Sequence, residues 1–169
     1  MTPLPPPLGD GQIVFWRLDH ARHAETWGSG EGSFLVGGRW NARGRRVVYA
    51  ALDPSTAILE VAVHKTFRAL DTVPHVLTHA RITEPECLHV VRPDDLPNPN
   101  WLFPGQPSAG QQAHGDGLLS KHLGLIVPSV VSKHSWNIIF DVEHAEGLFA
   151  HVVQEPFALD PRLHPPAGT

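Results

Sequence analysis

A chain of 169 residues fits one domain with a hydrophobic core of its own. Its 41% hydrophobic residues and five tryptophans argue for a folded globule, and its seventeen prolines and fifteen glycines for many loops. A formal charge of −4 withholds the positive surplus that binding to a phosphate backbone exploits, and a single cysteine, Cys87, excludes both an internal disulfide framework and a cysteine-rich zinc site.

Residues 1–11, MTPLPPPLGDG, read as a flexible leader biased towards polyproline II. They hold neither the basic segment nor the apolar stretch of a signal peptide, and no later run approaches the ~18 apolar residues of a membrane span. The expectation is a cytoplasmic protein with a single domain over 12–163 and a short flexible tail over 164–169. Ile13 to Leu18 is a strand candidate that places Ile13, Phe15 and Arg17 on one face and Val14, Trp16 and Leu18 on the other. Arg17 is then either an edge-strand arginine with its head in water or a member of a site. Ala21 to Glu25 reads as a helical turn, followed by the loop WGSGEGSFLVGGRWNARG. Its alternating Gly28, Gly30 and Gly32 permit close approach to a ligand, or make a mobile turn.

Arg46 to Leu52 reads as the second strand, and Asp53-Pro54 as an N-cap followed by proline at the first helical position. From Ala57 to Val63 every residue except Glu60 is apolar, which predicts a helix buried on most sides with one carboxylate in it. An isolated ion there would cost several kcal/mol, on the order of the effective penalty for buried charges, so Glu60 needs a partner, a shifted pKa or a cleft. A salt bridge to Arg39, Arg43, Arg45 or Arg46 is the structural alternative to a catalytic role. Val76 to Ile82 and Cys87 to Val91 read as strands separated by a turn at Glu84-Pro85, and 93–108 as a proline-rich loop centred on Trp101 and Phe103. A helix is predicted over Gln111 to His122. Leu125 to Val131 and Asn137 to Val142 are the last strands read; Pro128 in the first implies a bulge or an edge and an interrupted ladder at Ser129.

Twelve histidines raise the question of a metal, yet His20/His23 and His75/His79 form no H-E-x-x-H and no cysteine completes a zinc set, so no metal site is expected. Ser129 lacks the G-x-S-x-G elbow, and there is no P-loop. A glutamate in an apolar helix, strand-borne arginines, a serine on a broken strand and a Gly-rich loop suit a site that holds a phosphate-bearing molecule and breaks a glycosidic bond.

The order of these pieces resembles the RES-domain family, the toxin half of bacterial RES–Xre toxin–antitoxin pairs. The resemblance is carried by F-W-R-L at Phe15 to Leu18, G-G-R-W-N-A-R-G at Gly37 to Gly44, V-V-Y-A at Val47 to Ala50 and T-A-I-L-E at Thr56 to Glu60. It continues through G-D at Gly115-Asp116, V-P-S at Val127 to Ser129, W-N-I-I-F at Trp136 to Phe140 and P-F-A-L-D-P-R-L at Pro156 to Leu163. Gly117 follows where many members have an aromatic residue, and Trp27 stands where tyrosine is common. The resemblance implies an α+β, ADP-ribosyltransferase-like fold of two small packed β-sheets with flanking helices and an NAD cleft between them. NAD is then a substrate, with no prosthetic group, and its ADP-ribose passes to water, phosphate or a protein. It implies that Arg17 grips the NAD phosphates, that Arg39 assists, and that Tyr49 and Trp27 lie near the nicotinamide. Glu60 would promote nicotinamide departure, and Ser129 would orient the ribose or Glu60. An Xre-type antitoxin and a homodimer are the expected assemblies. A non-catalytic ADP-ribose-binding module and an RNA-cleaving toxin are the competing readings.

Overall fold

Short β-branched runs punctuated by Gly, Pro and Asp turns build one mixed sheet. The structure is a computed structural model that describes residues 12–163, so the expected leader and tail lie outside the described residues. The strands are β1 (Val14–His20), β2 (Val47–Ala51), β3 (His75–Ile82), β4 (Leu88–Val90), β5 (Gly124–Pro128), β6 (Trp136–Asp141) and β7 (Phe149–Phe157). The helices are α1 (Glu31–Val36), α2 (Pro54–Thr72) and α3 (Ala109–Leu119), with a 3₁₀ turn over Ala21–Thr26. The strand order is β4-β5-β6-β2-β1-β3-β7, antiparallel except for the parallel β4–β5 pair.

The α+β class agrees with the sequence reading, but the two expected sheets are joined into one. β2 pairs with β6 along its length and β1 with β3 along its length, whereas β1 and β2 meet only at Trp16 and Ala51. That rung makes the sheet continuous. Beyond it the two strands part. Following the register across the sheet, Val127, Asn137, Ala51 and Trp16 form one row, so their side chains share a face.

On the opposite face Phe15, Val48, Ala50, Ile138 and Phe140 form a buried cluster with Leu148, and Trp27 and Phe149 pack against it. Each large side chain buried there contributes ~1.5–3 kcal/mol of transfer free energy. On the face of the row, Leu18, Leu77 and Leu159 pack under α2, while Trp40, Trp101, Leu119, Leu125 and Ile139 pack near α3.

Helix α2 starts where expected: the Asp53 carboxylate accepts from the Thr56 N–H at 2.8 Å and from its hydroxyl at 2.6 Å. It is not buried on most sides, since only one flank lies on the sheet; Ala57 and Ala62 are buried while Val63 is 59% exposed. The helix is broken at Thr66, whose φ of 68° and ψ of 153° are foreign to a β-branched residue.

Three other expectations are corrected. The Gly-rich loop contains α1, entered through Gly30 at φ 62°, where a Cβ would lie 2.7 Å from the Val47 nitrogen. β5 is an interior strand between β4 and β6, so Pro128 marks neither an edge nor a bulge; it closes the strand, and Ser129 follows just past the ladder. The nine-residue strand β7 escapes the sequence pattern because it is an edge strand with mostly exposed side chains and Pro156 near its end.

Candidate active site

The glutamate of α2 reaches the row on the sheet. Its Oε1 accepts from the Ser129 hydroxyl at 2.9 Å and from the Asn137 side-chain amide at 2.6 Å. The Ser129 oxygen is itself fixed by the Ser132 N–H at 3.0 Å, and the Ser129 N–H donates to the Ser135 carbonyl at 3.0 Å. No salt bridge is made to Glu60 among the described residues. Arg45 is paired with Asp141 and Asp116, and Arg46 donates to the Ser29 carbonyl and lies over the Phe34 ring. Glu60 is therefore held by neutral donors on one oxygen.

Arg17 follows Trp16 and so sets out from the other face of the sheet. Its guanidinium turns into the parting between β1 and β2. Nη1 donates to the Tyr49 carbonyl at 2.6 Å, and Nε and Nη2 donate to the two Asp19 carboxylate oxygens at 2.8 Å each. The arginine thus supplies a donor to a β2 carbonyl that no β1 backbone N–H reaches. Three of its five N–H groups are used. β1 is an interior strand, so the reading of Arg17 as an edge arginine with a solvated head is set aside.

A cavity of about 440 Å³ opens beside it, lined by Arg17, Asp19, Arg22, Trp27, Tyr49 and Lys65 among others. That is within the usual range of small-molecule sites. Trp27 packs on Phe15 and Phe149, with ring centroids 5.9 and 5.4 Å away. Glu60, Ser129 and Arg39 do not line this cavity. The structure thus forms two groups: Glu60 with Ser129 on the face of the row, where the Tyr49 side chain also lies, and Arg17 with Trp27 and the Tyr49 carbonyl on the other. They meet the same parting from opposite faces of the sheet.

The G-G-R-W-N segment is fastened to Tyr49. Asn41, fully buried, accepts from the Tyr49 hydroxyl at 2.7 Å and donates to the Ala42 carbonyl at 2.8 Å, while the Trp40 N–H donates to the same tyrosine oxygen at 3.1 Å. Gly38 leaves room for that hydroxyl. Burial pushes the Tyr49 phenol well above its ordinary range, so its hydroxyl stays a donor to Asn41. Arg39 donates to the Trp101 carbonyl at 3.0 Å and the Gly105 carbonyl at 3.1 Å. Burial lowers its pKa, and the charge of Glu60 works against that lowering, which puts Arg39 within electrostatic reach of the carboxylate. Gly115 lets α3 lie on the Trp40 backbone, and Asp116 accepts from the Ala42 N–H at 3.0 Å. Asn137 is the residue that the sequence reading passed over. Its one signal was a polar side chain in the otherwise apolar opening of W-N-I-I-F.

Residues 14–162 match the RES domain. The chain belongs to the RES-domain family. It is 32% identical over 153 residues to a protein named Toxin Res from Pseudomonas putida, covering 89% of this chain and 99% of that one. A Toxin Res from Yersinia enterocolitica is 31% identical over 155 residues, with the same two coverages. A Sphingobium protein named Prs ADP-ribosylating toxin is 29% identical over 167 residues, covering 88% of this RES chain and 95% of the relative. Among solved structures, the Mycobacterium tuberculosis MbcT-MbcA toxin-antitoxin complex contains a chain of similar fold, with a TM-score of 0.59 at 19% identity over 85% of this chain and 84% of that one. The RES fold is therefore shared at low identity.

Proposed function

We propose that this RES-domain toxin consumes NAD by cleaving the bond between nicotinamide and ribose. The observation that carries the reading is the Glu60 carboxylate, free of any salt bridge and held through Oε1 at the level where β1 and β2 part. Its other oxygen, Oε2, faces no donor among the described residues and suits a ribose hydroxyl. The C1′–N bond breaks, nicotinamide leaves as a neutral base with the bonding pair, and positive charge develops on the sugar ring. Glu60 stabilises that charge, as a carboxylate does in glycoside hydrolysis. A nucleophilic oxygen then bonds to C1′ and gives up its proton.

The dinucleotide lies across the parting in this reading. Its pyrophosphate meets the two remaining N–H groups of Arg17, its nicotinamide end lies by Tyr49 and Trp27, and its scissile sugar is at Glu60, with Ser129 and Arg39 in support. The acceptor is water, phosphate or a protein side chain; the ADP-ribosylating relative in Sphingobium favours a protein. The antitoxin-bound fold neighbour favours an antitoxin partner that obstructs this site. No helix among the described residues is long and apolar enough to cross a membrane.

The test is nicotinamide release by the purified protein, with and without bacterial lysate. Release without lysate means hydrolysis or phosphorolysis according to the phosphate requirement. Label moved from NAD onto a lysate protein means transfer. No NAD loss under either condition sinks the enzymatic reading and leaves a binding module.

A further inference from the structure

We propose that Asn137 is the positioning residue for Glu60. Its amide N–H holds Oε1 from the sheet while Ser129 holds it from the loop, so that the carboxylate meets the sugar in one orientation. The inference rests on the NAD-cleaving reading above. Three observations carry it. The Asn137 contact, at 2.6 Å, is the shorter of the two on Oε1. Asn137 comes from an interior strand in the row that crosses the Trp16–Ala51 rung, so its Cα is fixed beside the parting of β1 and β2.

The third observation concerns the other end of the same amide. The Asn137 Oδ1 is buried and has no hydrogen-bond partner. An ionised carboxylate has no proton to donate, so Glu60 dictates which way the amide points, and that orientation leaves Oδ1 unsatisfied. A polar residue kept for stability would have both ends matched, because an orphaned buried acceptor detracts from folding. Asn137 pairs only the end that serves Glu60. The charged group of another element that interacts with this carboxylate is Arg39, at longer range than a salt bridge, its guanidinium being hydrogen-bonded to the loop carbonyls of Trp101 and Gly105. On α2 itself His64 lies one turn further on.

The experiment is steady-state NAD consumption by the full chain as a function of pH, for wild type, N137A, N137S, N137D and E60Q, with thermal unfolding of each. In N137A, kcat falls ~10- to 100-fold, the scale of a misplaced catalytic group, while KM for NAD stays within about twofold. N137D is the sharper variant. Near neutral pH the new carboxylate repels Glu60 and activity is lost; on acidification the pair takes up one proton, the new carboxyl donates to Oε1 and part of the activity returns.

N137S keeps the readout if N137A fails to fold. Loss of kcat accompanied by a large drop in unfolding temperature, with no return of N137D activity on acidification, would assign Asn137 to the fold and overturn the inference. So would an N137D profile parallel to wild type. Active wild type with inactive E60Q but unaffected N137A removes this inference alone, whereas wild type that consumes no NAD removes the parent reading with it.

Discussion

The two sides of the parting are built on opposite principles. On the β2 side Glu60 is held by a hydroxyl and an amide, with no counter-ion and one oxygen uncommitted. On the β1 side Arg17 is bound at both ends, by the Asp19 carboxylate and the Tyr49 carbonyl. The glutamate is anchored by neutral groups, and the arginine is neutralised by a carboxylate of its own strand while it braces β1 against β2.

That contrast breaks first at Glu60. Glu60→Gln keeps size and removes charge, so nicotinamide release falls by ~10²–10⁴, the scale of a lost acid/base or electrostatic group, while urea unfolding barely moves. Wild-type turnover in that variant would remove Glu60 from the mechanism. Arg17→Ala has the reverse balance. It strands the nearly buried Asp19 and frees a β2 carbonyl, which costs about 2 kcal/mol, discounted from the buried-pair range because the Arg17 side chain is 28% exposed. KM for NAD rises more than kcat falls. Equal unfolding free energies for R17A and wild type would show that the strands need no brace.

Tyr49→Phe sharpens the same distinction within one residue. The ring remains packed beside Trp40, but Asn41 and the Trp40 N–H lose a partner, at ~1–3 kcal/mol for a buried group left unsatisfied. The phenol also sets a pH dependence. Its folded pKa is raised above the ordinary value of 10.0, so its contribution to stability is fully present below that value and is lost as pH rises past it. Wild type should therefore lose stability above pH 10 more steeply than Y49F in alkaline unfolding series. The smallest effect belongs to Thr66→Gly in the break of α2. Relief of the positive φ outweighs the extra entropy of an unfolded glycine and gains ~0.5–1 kcal/mol, read from the urea midpoint.

Local chemistry made part of this molecule legible in advance. Asp53-Pro54 announces α2 because an N-cap and a first-turn proline act within four residues, and Glu60 stands out because a carboxylate amid apolar neighbours demands an explanation. Asn137 gave no such alarm, since an asparagine at a strand's start reads as a turn residue until its partner on α2 is seen. The strand β7 was hidden because an edge strand with solvent on its side chains shows no alternation. Whether the β1 and β2 halves make two sheets or one depends on the Trp16–Ala51 rung, and register across the 34 residues between them is not written in either segment.

A sheet whose halves share one rung behaves as two plates touching at a corner. Each plate keeps its own ladder and its own apolar layers, and beyond the corner a side chain does the joining that backbone amides do elsewhere.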